Sequence, residues 1–258
     1  MPPIELSAPL VLLLFGTGFS AGFVDSIAGG GGLIALPVLL STGISPQMAL
    51  GTNKLQGSFG TLSAAYNYIK KGEVKPGEAW TGALFTLTGA GTGAWAIQHM
   101  DAQFLNKIIP FLLVTVFLYT LFTKDLGTGT TQAKLPQNLF FLIFGLALGF
   151  YDGFFGPGTG SFWTAAFVVV MGFNMTKASG FTRIMNFISN IVALAIFMIG
   201  DNVLYDLGLC MALGQVLGAR LGSNLAIQKG AGFIRPIFLT VVFLTIVRLV
   251  YLNYSTLA

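Results

Sequence analysis

The sequence predicts an all-α polytopic membrane protein. It is read as two inverted repeats of about five helical elements each, with Gly-Asp broken hairpins meeting near the membrane midplane. Three observations predict it. Of 258 residues, 54% are hydrophobic and only 9% are charged, with a mean hydropathy of +0.80. Soluble domains carry about 25% charged residues, so a water-facing surface cannot be built from this chain. A stretch Gly22-Phe23-Val24-Asp25-Ser26-Ile27-Ala28, followed by Gly29 to Gly32, returns altered as Gly149-Phe150-Tyr151-Asp152-Gly153-Phe154-Phe155-Gly156-Pro157-Gly158-Thr159-Gly160. Finally, the basic residues between the apolar runs divide unevenly over alternate loops.

Taken in order, the first apolar run, 7–24, lacks a basic leader and a clear cleavage site, and reads as a retained helix. Further runs follow at 33–42, 46–70, 80–98 and 104–123, then at 138–152, 160–173, 178–200, 204–227 and 233–252. A helix needs about 20 residues to cross the hydrocarbon core. The runs 33–42 and 160–173 are too short, and read as second arms of hairpins whose tips are the Gly-Asp breaks. Four successive glycines make continued helix unfavourable there. Irregular backbone at membrane depth survives only where protein covers it or where it lines a cavity. A carboxylate facing lipid is costly, so Asp25 and Asp152 mark a site.

The repeat extends beyond the tips. A shift of 127 residues places Asp25 on Asp152, Gly29 on Gly156 and Gly31 on Gly158, and a shift of 129 places Lys54 on Arg183, Gly89 on Gly218 and Gly93 on Gly222. Residues 1–123 form the first repeat and 138–258 the second, joined by a Gly/Thr/Gln-rich linker over 124–137. With five elements per half, Lys70, Lys71, Lys75, Lys124, Lys134, Lys177, Lys229 and Arg235 fall on one side, and Lys107 opposite. With four crossings per half the division is nearly even. The excess of Lys and Arg in cytoplasmic loops selects the first arrangement. An odd number of elements inverts the second half and leaves both termini outside.

Four basic residues lie inside apolar runs: Lys54, Arg183, Arg220 and Arg248. Arg248, near a helix end, reads as a snorkelling side chain. Lys54 and Arg183 occupy corresponding places in the two halves. Two readings fit them: an internal salt bridge, Lys54 with Asp25 or Arg183 with Asp152, or an anion site at the repeat interface. Both hold if a carboxylate positions a cation that also touches substrate. Half-helices starting near Leu33 and Gly160 would aim free N–H groups at mid-depth, which favours anions. Asn53, Gln56, Thr182 and Asn186 are placed to add hydrogen bonds, with Asn190 extending that face. Gly30 at one tip and Gly156 and Gly158 at the other complete the candidate site. The Gly89/Gly93 and Gly214/Gly218/Gly222 ladders read as close helix packing, with Arg220 beside the second as a lesser candidate for the cavity.

Other chemistry finds little material. No Gly-Lys-Ser/Thr follows the glycines, so they are not a phosphate loop. His99 stands alone without a second histidine or cysteine at ligand spacing, so no metal or cofactor is expected. Cys210 is the single cysteine, which precludes an internal disulfide. The scattered basic residues do not form a nucleic-acid footprint.

The segments "GFVDSIAGGGG", "ALGTNKLQGSFGT" and "GFYDGFFGPGTGSFW" resemble the TauE/SafE family of membrane transporters, particularly its YfcA-like branch. The resemblance covers essentially the whole chain. It implies passage of sulfite, sulfonates and related sulfur-containing anions across the bacterial cytoplasmic membrane. The expected function is therefore a secondary transporter of small anions working by alternating access, with a lipid bilayer and a small anion as partners and a homo-oligomer left open. An anion channel of the same architecture is the alternative, and an intramembrane enzyme a more distant one. No ATP-binding motif is present, and Asp25 and Asp152 are the candidate proton carriers.

Overall fold

The computed structural model describes residues 6–122 and 132–229, with the backbone alone for 116–122. Among these residues there are helices and no strand. The first apolar run is α1 (Ala8–Ala28), which carries Asp25 in its last turn. After only two non-helical glycines α2 (Gly31–Leu40) begins. The break is thus shorter than four glycines predict. A first helical turn tolerates glycine once its N–H groups are capped, and Asp25 Oδ1 accepts from the Gly30 and Gly31 N–H groups, both at 3.1 Å. Gly29, at φ +74°, makes the reversal that a side chain would oppose.

α3 (Pro46–Lys70) starts where Ser45 accepts from the Met48 N–H and Pro46 takes the first helical position. A single 3₁₀ turn at Pro76–Glu78 leads into α4 (Trp80–Gln98) and α5 (Ala102–Phe122). In the second half α6 (Gln137–Phe140), a π-helical turn (Phe141–Gly145) and α7 (Leu146–Phe154) run on without interruption. α8 (Thr159–Val169), α9 (Met175–Ile199) and α10 (Tyr205–Lys229) follow. Asn174 caps α9 through the Lys177 N–H, at the place that corresponds to Ser45. The run at 233–252 with Arg235 and Arg248, and Lys124 with most of the 124–137 linker, lie outside the described residues. Within that linker, the Lys134 N–H donates to the Val170 carbonyl at 2.8 Å.

Among the described residues three rods, Ala8–Ala28, Gln137–Phe154 and Met175–Ile199, are long and apolar enough to cross a membrane. α2 and α8, at 10 and 11 residues, have about half the length that a crossing needs. α3, α4 and α10 are long but less apolar, because much of their surface meets other helices rather than lipid. The first long helix of each half packs on the fourth helix of the other, α1 on α10 and α7 on α4. Glycines permit the approach. Gly214, Gly218 and Gly222 lie against the backbone of Phe15, Phe19 and Phe23, while Gly89 and Gly93 lie against that of Leu146 and Phe150. A Cβ at any of them would strike main-chain atoms, so the two ladders are packing seams.

α3 and α9 pack on each other, with α10 against α3 and α4 against α9. The two halves are therefore interleaved rather than set side by side. Aliphatic residues of α2, among them Leu33, Leu36 and Leu39, belong to the larger core cluster. α8 instead sits in an aromatic nest of Trp163, Phe167, Phe140, Phe141 and Phe181. Each short helix is thus wedged by its own set of side chains, which holds its glycine tip in place.

Candidate functional site

The two hairpin tips meet. A Cβ added to Gly160 would stand 2.7 Å from the Gly29 Cα, and the Ser161 hydroxyl donates to the Ala28 carbonyl at 3.0 Å and also to that of Gly29. Around this junction α3 and α9 supply the cations and amides that the sequence singled out. Lys54 is 1% exposed and Arg183 fully buried. A bare charge in such surroundings is costly, so each must be matched.

The matching runs across the halves. Lys54 Nζ lies 2.7 Å from Asp152 Oδ1, and Arg183 Nη1 lies 3.0 Å from Asp25 Oδ2. Each cation also donates to the backbone carbonyl of the aspartate that it pairs with. This corrects the expectation that Lys54 would pair with Asp25 and Arg183 with Asp152. The reason is geometric: the tips face each other and α3 packs directly on α9, so a long basic side chain from either helix reaches the opposite tip.

The two aspartates are used differently. Asp25 Oδ1 caps α2 while Oδ2 takes Arg183. The N–H groups expected to be free at the start of the first half-helix are therefore already occupied. Asp152 does not cap α8. Its Oδ1 takes Lys54 and its Oδ2 accepts from the Ser189 hydroxyl. Among the described residues no side chain is seen to cap α8; instead the Thr159 and Ser161 N–H groups donate to the Gly156 and Gly158 carbonyls at 3.1 and 2.9 Å, with Gly158 as the N-cap residue at φ +85°.

The cations differ as well. Lys54 Nζ donates to Asp152 Oδ1, to the Asp152 carbonyl and to Asn190 Oδ1 at 3.2 Å, which uses all three of its protons. Arg183 donates Nη1 to Asp25 and Nε weakly to the Ser179 carbonyl at 3.4 Å, but its buried Nη2 makes no hydrogen bond among the described residues. Three amide oxygens nearby are also buried and unpaired: Gln56 Oε1, Asn186 Oδ1 and Gln215 Oε1. Buried polar atoms are normally satisfied, so such a concentration at one place makes this junction the candidate site.

Lys54, Gln56, Asn186 and Gln215 line a cavity of about 30 Å³. That is enough for one or two waters, each needing roughly 10–15 Å³. Of the residues picked from sequence, Asp25, Asn53, Lys54, Gln56, Asp152, Gly156, Gly158 and Asn186 line it. Gly29, Gly30 and Gly31 build the tip beside it, whereas Arg183, packed behind Gly160, does not line it. Thr182 turns away to the Thr164 hydroxyl at 3.1 Å. Arg220 does not reach the cavity; it lies exposed on the outer face of α10.

Sequence reasoning missed Gln215, Thr61 and Ser189. The first two line the cavity and the third holds Asp152. Ser189 carried a signal, one turn beyond Asn186 on the same face, and Gln215 stood beside Gly214 within an apolar run. Gln56 donates to Asn53 Oδ1 at 2.8 Å, which fixes its amide and leaves Oε1 without a partner among the described residues. Among the described residues no cluster of three or more His, Cys, Asp or Glu is placed to hold a metal ion.

The model of a family described as sulfite exporter TauE/SafE matches residues 14–249. A Haemophilus influenzae protein named "Probable membrane transporter protein" is 42% identical over 248 residues, covering 96% of this chain and 97% of its own. The Escherichia coli "Probable membrane transporter protein YfcA" is 41% identical over 245 residues, covering 95% and 91%. A Sinorhizobium "Probable membrane transporter protein ORF9" is 42% identical, covering 95% and 94%. No solved structure matches the chain.

Proposed function

We propose, since this chain belongs to the sulfite exporter TauE/SafE family of membrane transporters, that it carries small sulfur-containing oxyanions through the cavity where its two hairpin tips meet. The carrying observation is the buried pair of cations beside unpaired donors and amides at that junction. A lipid-filled gap would leave those groups uncompensated. An anion of a few heavy atoms would supply acceptors to the amides that line the cavity.

Alternating access is the mechanism this reading implies. Two broken hairpins touching at their tips, each tied by an ion pair to the other half, support two repeats of inverted orientation that rock around a fixed central site. The excess of basic residues in alternate loops supports the same topology, a multi-pass protein of the bacterial inner membrane with both termini outside. Cysteines introduced at Lys71 and Lys229 will then be shielded from an impermeant thiol reagent in intact cells, while one at Gln103 will label. Equal labelling of Lys71 and Gln103 would overturn the inversion.

The reading is tested with purified protein in liposomes. Sulfite, thiosulfate, sulfoacetate, taurine and sulfate are first ranked by thermal stabilisation, and the best is followed as a labelled solute. Saturable uptake accelerated by the same unlabelled anion on the trans side is expected of a carrier. Uptake that neither saturates nor shows counterflow would indicate a channel instead, and no anion-dependent stabilisation or flux would remove the anion assignment altogether.

A further inference from the structure

We infer that the anion and the Asp152 carboxylate compete for Lys54, so that the carrier takes up one proton, on Asp152, each time it takes up one anion. The inference rests on the anion reading above and adds the coupling ion to it. From sequence Asp25 and Asp152 are equivalent proton carriers; in the structure they are not.

The partners of the two carboxylates differ in kind. Asp25 accepts from the Gly30 and Gly31 N–H groups at one oxygen and from Arg183 at the other. All of these are donors with nothing to accept, so a proton placed on Asp25 would find no acceptor among the groups that hold it. Asp152 accepts from Lys54 at Oδ1 and from the Ser189 hydroxyl at Oδ2. A hydroxyl can also accept, and Ser189 has a second place for its hydrogen, the Asn186 carbonyl at 3.1 Å. While Asp152 is ionised, Ser189 donates to it. Once protonated, Asp152 donates to Ser189 Oγ, which turns its own hydrogen to Asn186. Oδ2 is bonded in both forms, as a buried polar atom requires.

Lys54 forces the exchange. It is 1% exposed and lines the cavity together with Asp152, and a cation so placed needs a counter-charge. The cavity, at about 30 Å³, has room for roughly one or two waters and not for a sulfur oxyanion beside the carboxylate. The two anions therefore take turns at Nζ. Lys54 stays in place meanwhile, because the Asp152 carbonyl and Asn190 Oδ1 hold its other protons. A carboxylate that has given up Lys54 is a buried charge without a match, and a proton from the aqueous phase removes that charge. Release of the anion reverses each step: Asp152 returns its proton to water and goes back to Lys54.

The other ionisable groups around Asp152 take no part. The Tyr151 hydroxyl on α7 donates to the Pro157 carbonyl at 2.8 Å. Asp25 on α1 lines the same cavity but is held by its own donors, and Arg183 on α9 pairs with Asp25 and does not line the cavity. α4 and α8, which pack on α7, carry no ionisable residue.

The test is calorimetry on the full-length protein in detergent. The probe is methanesulfonate, which stays ionised at every working pH and so brings no proton of its own. Titrations in buffers of different ionisation enthalpy count the protons bound with each anion. About one is expected, with about a tenfold loss of affinity per unit of rising pH wherever Asp152 starts ionised. A count of zero would overturn the inference. Asp152→Asn copies the protonated form and should bind methanesulfonate more tightly than the unaltered protein, with no proton taken up. Because it leaves Lys54 unmatched, it is purified with methanesulfonate present. A variant that fails to fold even then would sink the inference, since the anion is held to replace the carboxylate at Lys54. Proton uptake that persists in Asp152→Asn would sink it too. No methanesulfonate binding by the unaltered protein counts against the anion reading itself, whereas binding without a proton counts only against the coupling.

Discussion

The two hairpin tips carry the same Gly-Asp signature and do different things with it. At the first, the aspartate stays with its own hairpin, capping α2 and lending one oxygen to Arg183. At the second, the aspartate does not cap its hairpin and is held by Lys54 and Ser189. One tip is capped by its own carboxylate, and the other closes through its own backbone carbonyls. A duplicated motif thus preserves where a charge sits more faithfully than what the charge is for. A small change, Pro157 for Gly30, removes the N–H that Asp25 accepts from in the first tip, and is enough to make equivalent positions differ.

The comparison is broken most decisively through the ion pairs. Lys54→Ala leaves Asp152 buried and unmatched, which should cost about 3–5 kcal/mol and depress membrane yield sharply. Lys54→Gln combined with Asp152→Asn should recover most of that loss. Combining Lys54→Gln with Asp25→Asn should recover none, because Asp25 belongs to Arg183. A double-mutant cycle on thermal melts reads the difference directly: coupling within each crossed pair, and none between Lys54 and Asp25. Coupling found within the halves instead would mean that the pairs exchange partners.

A smaller effect sharpens the contrast. Ser161 bonds the second tip to the carbonyls of Ala28 and Gly29, and its counterpart in the first half, Ile34, is an apolar residue of the core. Ser161→Ala should cost about 0.5–1.5 kcal/mol. It should also loosen the tip junction enough to show as faster amide exchange at Gly29 and Gly160. Unchanged exchange there would mean that the glycine contact alone holds the tips together.

Much of this was legible in the sequence, for identifiable reasons. The short arms α2 and α8 follow from runs too short to cross hydrocarbon, and α3 and α9 from the long runs 46–70 and 178–200, although α9 begins earlier, at Met175 after its Asn174 cap. Lys54, Arg183, Asp25 and Asp152 stood out because ionised groups are rare in apolar segments. The partner of each was not legible. Periodicity reports which face of a helix a residue occupies, whereas pairing depends on how α3 and α9 meet and how far a lysine or arginine reaches. Arg220 shows the same limit from the other side. Its place beside a glycine ladder was visible, yet the ladder turns Gly214, Gly218 and Gly222 toward α1 and leaves Arg220 facing outward.

The crossed pairing also has a consequence for biosynthesis. Asp25 and Arg183 are 158 residues apart in the chain, so at about 5–20 residues per second the carboxylate is made roughly 8–32 s before its cation. During that interval α1 has neither Arg183 nor its seat on α10, since Tyr205–Lys229 is synthesised later still. α1 is therefore held by α2 and α3 alone until the second half is made, and the earliest-made member of the central contacts is among the last to be matched. A chain split between the halves and expressed as two pieces would face no such delay, since both partners of each ion pair could enter the membrane together.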